Sequence, residues 1–201
     1  MTHVLERPFF NLSVVRAPLA ELIDQFASLP PLVASRAEVT ALAFPAQPYG
    51  RAPGGLPLLL WSPACSPGLT AVMPSVGSGD YFVLEYACKR FGHDGVAVRS
   101  TTQAAEEPIN EFITYADNRM QRAVRAMQDS PRWDFYQEGA PLPFEAVHAY
   151  TARRVRDRLQ REAVLDYLQA WGVPVRDEAF WHSAGDAVTL VRSLLKPTAT
   201  T

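Results

Sequence analysis

The four histidines and two cysteines are the residues of this chain best suited to bind a metal or attack a substrate. They are His3, His93, His148, His182, Cys65 and Cys88. No two of them have the spacing of a helical or hairpin metal site, so we expect neither a metal nor a cofactor. Both thiols are expected to be free and mostly buried, as in a reducing compartment. His93 adjoins Asp94, which could orient its imidazole, but a histidine in such a tight turn is more often exposed to solvent.

Ser78, in the stretch VGSGD, comes nearest to the turn that presents a catalytic serine. The stretch lacks the second glycine of the GxSxG motif and a strong preceding strand. It also differs from the phosphate-binding patterns GxxxxGK[ST] and GxGxxG, so we interpret it as a loop that leads into a helix. In an enzyme, the best elements would be Cys65 or Ser78 with His93 and a carboxylate. The sequence itself assigns no catalytic residue.

Arginines crowd the segment 153–161. They are Arg153, Arg154, Arg156, Arg158 and Arg161. Asp157 to Arg161 and Arg158 to Glu162 have the four-residue spacing of helical ion pairs, so we interpret the run as a solvated helix face rather than a phosphate site. The formal net charge of the whole chain is -2, which is not the footprint of a nucleic-acid-binding protein.

Aromatic and acidic side chains in the second half of the chain provide candidates for a protein-binding surface. Alternation in RWDFY places Trp133 and Phe135 on one face of a strand and Asp134 and Tyr136 on the other. One face is expected to be core, whereas Tyr136 or Trp181 could belong to an exposed binding surface. Acidic residues at a rim would steer a basic partner. The predicted interface residues are Glu106, Glu107, Glu111, Asp177, Glu178 and Trp181.

The first part of the chain alternates strand and helix signals. FFNLSVV, Phe9 to Val15, is typical of a strand, and the apolar spacing of three and four after Pro18 indicates an amphipathic helix. From Val39 to Met73, short apolar runs separated by proline- and glycine-rich breaks favour an antiparallel meander, with a long irregular loop as the alternative. The prolines in LPLLLWSP indicate that this strand begins or ends at an edge.

The middle of the chain predicts a helix, a tight turn and several strands. The helix at about 80–91 is capped by Asp80 and stopped by Gly92, and the strand VAVRST follows. EFITY is a further strand. Met120 to Met127 fits either a helical face or a strand, and we favour a hairpin with RWDFY because a D-S-P turn separates the two.

From Phe144 onward the apolar spacing is that of helices. The prediction comprises FEAVHAY and a long helix at about 150–171, which Gly172 and Pro174 end. A last helix is predicted in DEAFWHSAGDAVTLVRSLL, and residues 197–201 are expected to be a frayed tail.

Length and composition indicate one ordered globular domain over 1–201. The chain is 48% hydrophobic and 20% charged, whereas disorder requires low hydrophobicity and high net charge. No signal-peptide run and no membrane-spanning stretch occur, so a cytoplasmic location is expected. The expected fold class is α/β (α+β), with a mixed, largely antiparallel sheet packed against two or more helices.

The segment over about 70–182 resembles a group of bacterial hypothetical proteins found beside polymorphic toxins and secreted effectors. The resemblance lies in DYFVLEYACKRFG, HDGVAVRST and PINEF, and in the patterns W-x-F-Y-x-x-G-x-P-L-x-F-E and Y-x-x-R-R-x-x-D-R-L. Both patterns look structural rather than catalytic. The resemblance implies a small α/β immunity-type protein that binds and blocks a toxin, and it supplies no catalytic residue.

The favoured function is therefore a stoichiometric protein-binding module, an immunity protein that neutralises a bacterial toxin or effector. Occluding a toxin requires shape and charge complementarity, not a reactive group. One alternative is a small cytoplasmic, hydrolase-like enzyme whose groups converge only in space. The other is a dimeric structural or adaptor protein. The expected partner is a cognate protein and not a membrane or a nucleic acid, and homo-oligomers are compatible with the sequence.

Overall fold

The computed structural model describes residues 4–29, 35–44, 56–74, 82–102, 105, 107–129 and 131–192. The strands and α-helices in chain order are β1 (Phe9–Val15), α1 (Leu19–Ala27), β2 (Ser35–Thr40), β3 (Leu56–Trp61), β4 (Thr70–Pro74), α2 (Phe82–Lys89), β5 (Gly95–Thr101), β6 (Ile109–Ala116), β7 (Arg119–Asp129), β8 (Arg132–Glu138), α3 (Arg161–Trp171) and β9 (Ala187–Arg192). Short 3-10 helices lie at Val4–Glu6, Val147–Thr151, Val155–Asp157 and Glu178–Trp181.

These strands form one nine-stranded sheet in the order β2-β9-β3-β4-β1-β5-β6-β7-β8. Each neighbouring pair is antiparallel. From β5 to β8 the chain makes a simple meander, whereas β9 returns from the far end of the sequence to lie between β2 and β3. β2 and β8 are therefore the two edges. The prediction of a largely antiparallel sheet packed against helices is confirmed in outline, with the sheet as the dominant element.

Helices cover both faces of the sheet because its central strands carry apolar side chains on both sides. On one side, the α1–α2 face, Leu22 of α1 and Leu84 of α2 share a buried cluster with residues of β3, β4 and β5. On the other side, the α3 face, Leu165 and Leu168 of α3 share a second cluster with Phe112 of β6. Burial of these apolar surfaces on both faces is the main favourable term in folding.

Local signals set three helix ends where the sequence predicts them: the start of α1 and the ends of α2 and α3. α1 begins directly after Pro18, whose φ of -61° suits helix entry. Gly92, after α2, has a φ of 79°, and Gly172 ends α3 with a φ of 104°, a left-handed conformation that glycine adopts without a Cβ clash. Asp80 and residues 197–201 lie outside the described residues. Among the described residues, no helix is long and apolar enough to cross a membrane.

Most strand predictions are confirmed, and two details are wrong. The meander predicted from Val39 to Met73 is interrupted, because β9 lies between β2 and β3, while β3 and β4 are neighbours. The run FFNLSVV is β1, VAVRST falls in β5 and EFITY in β6, and the strand interpretation of Met120 to Met127 is correct because the run lies within β7. β8 pairs with β7 as the predicted hairpin. Pro57, however, lies in β3 between β4 and β9, not at an edge. Pro57 is the second residue of its strand, where a missing donor interrupts little of the ladder.

Two predicted helices are wrong in extent or in kind. Residues 144–160 contain two 3-10 turns, which the extended ψ angles of Ala152 and Arg154, 140° and 122°, separate from each other. The extended ψ angle of Gln160, 163°, separates them from α3, which starts only at Arg161. The predicted last helix is a 3-10 turn, Glu178–Trp181, followed by β9. β2 and β3 offer pairing partners on both sides of β9, and its Val and Thr residues pack well on a pleated surface.

Candidate protein-binding surface

Arg122 of β7 and Glu145, which follows β8, form a buried ion pair on the α3 face. Arg122 is fully buried, and its Nε and Nη2 donate to the two carboxylate oxygens of Glu145 at 2.8–3.2 Å. Nη1 donates to the carbonyl oxygens of Glu138 and Gly139, and Nη2 also donates to Gln137 Oε1. The N–H groups of Arg122 are therefore satisfied within the chain.

Glu145 connects this pair to α3. Its carboxylate accepts hydrogen bonds from the Leu142 N–H at 2.9 Å and the Tyr150 hydroxyl at 2.7 Å, and that hydroxyl lies 3.0 Å from the Tyr167 hydroxyl. Burial alone raises the pKa of Glu145, but hydrogen bonds from Arg122, Leu142 and Tyr150 bring it below its ordinary value. Burial, together with hydrogen bonds to Tyr167 and Glu145, raises the pKa of Tyr150. At neutral pH the carboxylate is ionised and the phenol is neutral.

Gly139 allows the chain to pass close to β7 beside this network. Its φ is 78°, and a Cβ at this position would lie 2.0 Å from the carbonyl oxygen of Gln121. Gly139, Glu145 and Tyr150 all belong to the two sequence patterns of the resemblance. Their contacts hold the segment after β8 on the sheet, which agrees with a structural interpretation of both patterns.

Glu111 lies in a charged row on the α1–α2 face and is not an exposed contact. Its carboxylate accepts a hydrogen bond from Arg99 Nε at 2.7 Å, and Arg125 Nη1 lies 3.8 Å from it. The residue is 4% exposed. The prediction that Glu111 contributes to an acidic rim is wrong because β6 is an interior strand whose two neighbours each place an arginine opposite it.

The prediction of Trp181 as an exposed contact is also wrong, whereas Tyr136 is accessible to solvent. Trp181 is 6% exposed, its Nε1 donates to the Val175 carbonyl oxygen at 2.8 Å, and its ring packs against Trp61. Burial of an indole is favourable when its N–H finds such a partner. Tyr136, on the edge strand β8, is 41% exposed, and its hydroxyl donates to a carboxylate oxygen of Glu138.

The arginine run at 153–161 is not a helix face. Arg158 Nε donates to the Ala152 carbonyl oxygen, and Arg161 Nη1 donates to the Arg7 carbonyl oxygen at 2.7 Å. The predicted four-residue ion pairs require an α-helix, and the segment before Arg161 is not one. Arg161 instead fastens the N-terminal segment to α3, and Arg153 and Arg154 are exposed.

The residues suggested for an enzyme, Cys65 or Ser78 with His93, do not form a site within the described residues. Cys65 is exposed in the turn after β3, whereas Cys88 is buried in α2, where burial and then the charge of Asp94 raise its pKa to about 12. His93 is not an exposed turn residue: its Nε2 lies 2.9 Å from Gln25 Oε1. Ser78 lies outside the described residues. Within the described ranges, no three His, Cys, Asp or Glu residues are placed to hold a metal ion.

Asp177 and Glu178 belong to an exposed acidic patch on the outer side of the α3 layer. We define the acidic patch as Glu162, Asp166, Asp177 and Glu178. Arg176 joins its parts, because Nη2 lies 3.0 Å from Glu162 Oε2 and Nη1 lies 2.9 Å from Asp166 Oδ1. Glu107 is also exposed and precedes Pro108 and β6, and Glu106 is outside the described residues. Sequence spacing did not suggest Glu162 as a contact, since Glu162 was expected to pair with Arg158 of the same helix, and it did not single out Asp166.

Comparison with known proteins gives this chain no family. No protein-family model matches it, no curated protein matches it, and no solved structure matches it. The resemblance to immunity-type proteins stays a prediction from the sequence.

Proposed function

We propose that this protein is a stoichiometric protein-binding module of the cytoplasm, an immunity protein that neutralises a bacterial toxin or effector. One observation carries the proposal. The buried charged groups of Arg122 and Glu145 form their hydrogen bonds with partners inside the protein, whereas the carboxylates of the acidic patch are exposed to solvent. This arrangement suits recognition through a surface rather than chemistry at a centre.

Electrostatics favours a basic partner for the acidic patch. The patch has four carboxylates, which outnumber the two guanidinium groups that interact with it, Arg176 and Arg161, so its local charge is negative at neutral pH. A surface of one sign accelerates association with a partner of the opposite sign and rejects partners of the same sign. The exposed ion pairs of Arg176 add little stability of their own, so these side chains remain available for intermolecular contacts.

Rigid support below the patch limits the entropy lost on binding. Leu165 and Leu168 on the inner side of α3 are buried, and the Tyr167 hydroxyl accepts a hydrogen bond from the Ala146 N–H at 2.8 Å. α3 therefore presents Glu162 and Asp166 from a fixed position. Preorganised contacts of this kind increase affinity because less conformational freedom is lost on association.

The test uses the product of the open reading frame adjacent to this gene. Co-expression should protect cells from that product, and the two proteins should form a stoichiometric complex on size exclusion with light scattering. The double variant Asp177→Lys, Glu178→Lys should slow association roughly tenfold or more at low salt, with a smaller effect at high salt.

A matched control carries the same charge change on the opposite layer. Glu21 and Asp24 are exposed on α1, which covers the other face of the sheet, so Glu21→Lys, Asp24→Lys should leave association unchanged. Equal slowing by both double variants would show that net charge alone matters and would remove the acidic patch from the proposal. Loss of protection on replacing Cys65 and His93 in a folded protein would replace the binding function with an enzymatic one.

A further inference from the structure

β8 leaves one backbone edge of the nine-stranded sheet without a strand beside it. Among the described strands, it is the last in the sheet order and pairs only with β7. Asp129 of β7 is opposite Arg132 of β8, and two residues separate them in the sequence, the spacing of a tight hairpin. In such a hairpin the pair that closes the turn exchanges both of its backbone hydrogen bonds.

The alternation of an antiparallel ladder then identifies the free backbone groups of β8. Starting from the pair Asp129 and Arg132, every second residue of β8 bonds inward to β7. Trp133, Phe135 and Gln137 therefore direct their backbone N–H and C=O groups away from β7. These three residues offer an edge ladder to another strand.

The side chains of β8 are complementary to β8 itself in one antiparallel register. When two copies pair about Phe135, Arg132 of each faces Glu138 of the other, and Asp134 faces Tyr136. We propose that the chain forms a two-fold homodimer by antiparallel pairing of β8 with β8, centred on Phe135, which joins the two sheets into one. The pairing adds about six backbone hydrogen bonds, because three residue pairs each exchange two.

Neighbouring registers and the parallel arrangement are disfavoured by charge. Moving the centre to Asp134 places that carboxylate opposite its own copy, and moving it to Tyr136 places Asp134 opposite Glu138. Parallel pairing in register places every charge opposite its own copy. Like charges directly opposite each other destabilise a strand pair, so the register centred on Phe135 is the one that the charges select.

Both faces of the paired strands are suited to this contact. Phe135 lies on the α3 face with its ring 5.3 Å from that of Tyr150 and beneath the Arg158 guanidinium, so the two Phe135 rings of a dimer would meet above a packed surface. On the other face, Arg125 lies over the Tyr136 ring at 5.5 Å. Aromatic pairs across an antiparallel ladder add to its stability.

The other sheet edge offers a weaker match. Among the described strands, β2 pairs only with β9, and its Arg36 forms an ion pair with Glu38 of the same strand at 2.7 Å. In a two-fold strand pair the backbone groups that bond across the axis belong to alternate residues, so β2 can pair about Ala37, which places Arg36 of each copy opposite Glu38 of the other. This register matches charges as the β8 register does, but it has alanines instead of aromatic rings at its centre. β2 is therefore the competing edge, and Arg36→Glu distinguishes dimerisation through β2 from dimerisation through β8.

Charge exchange at β8 tests the pairing by sedimentation velocity over a concentration series. The wild-type protein should reach twice its chain mass. Arg132→Glu and Glu138→Arg should each weaken dimerisation roughly tenfold or more, because each creates two like-charged contacts across the two-fold axis. The double variant Arg132→Glu, Glu138→Arg should restore dimerisation, whereas Arg36→Glu on β2 should not change it.

Hydrogen exchange of single amides gives a second readout that is independent of these substitutions. In the dimer, the N–H groups of Trp133, Phe135 and Gln137 should gain protection with increasing protein concentration, while those of Asp134 and Tyr136 are protected at every concentration. A protein that stays monomeric up to its solubility limit overturns the proposal. A dimer that ignores both single β8 variants, or that forms without protecting Phe135, overturns it as well.

Discussion

Glu145→Gln should destabilise the protein far more than an ordinary charge-removing substitution. The change keeps the size of the side chain but leaves the guanidinium of Arg122, which is fully buried, without its counter-charge. Removing one partner of a buried ion pair costs about 3–5 kcal/mol, because the remaining charge is left in a medium of low polarity. For a domain of this size that is a large part of the total stability, which is about 5–15 kcal/mol.

Urea denaturation measures this loss, with Glu162→Gln as the matched control. Glu162 also pairs with an arginine, at 3.0 Å, but its side chain is 75% exposed, so the same substitution should cost no more than about 1 kcal/mol. The effect also depends on pH. The folded state lowers the pKa of Glu145, so its contribution is complete above the ordinary value of 4.5 and is lost as pH falls through the lower folded-state value. A Glu145→Gln loss as small as that of the control would refute the role of the buried pair.

Three further outcomes are expected. Gly139→Ala should lower the unfolding free energy by about 1–3 kcal/mol, because the new Cβ would meet the Gln121 carbonyl oxygen at a positive φ, whereas Gly68→Ala, with open space around it, should be nearly neutral in the same urea titration. A strong chelator should leave the thermal midpoint unchanged by calorimetry, and a fall of many degrees would reveal a structural metal. Cys65 should react with a thiol reagent in the native protein and Cys88 only after unfolding, as mass spectrometry of labelled peptides can measure; rapid native labelling of Cys88 would contradict its burial and raised pKa.

Elements governed by neighbouring residues could be predicted from the sequence. The period of three and four behind Pro18 identifies α1, and the D-S-P turn between two strand-like runs identifies the β7–β8 hairpin. Both depend on interactions within one or two turns of chain. The location of the buried thiol in α2 follows from the same apolar period, since Cys88 shares a stripe with Leu84.

Elements that depend on partners distant in the sequence could not be predicted in this way. Ala187–Arg192 is a strand because β2 and β3 pair with it on both sides, although its composition also suits a helix. The ion pair with Arg122, a residue of β7, organises the region around Glu145, and no local pattern reveals that contact. Glu111 and Trp181 carry the types of side chain that binding surfaces use, but an interior strand and an indole hydrogen bond bury them. Of the predicted interface, Asp177 and Glu178 are exposed together, and the sequence did not indicate their neighbours on α3.

The position of β9 between β2 and β3 makes assembly of one side of the sheet wait for the last of the described strands. During synthesis β2 and β3 emerge early, but until Ala187–Arg192 has left the ribosome β2 has no partner among the described strands and β3 can pair only with β4. The meander from β5 to β8 closes between sequence neighbours and can form first, because short loops cost less entropy to close. Until β9 is synthesised, β3 has an open edge, and its apolar residues Leu58 and Leu60 become fully buried only in the folded protein. A nascent chain that stalls before β9 therefore presents an open strand edge to chaperones, proteases and other nascent chains.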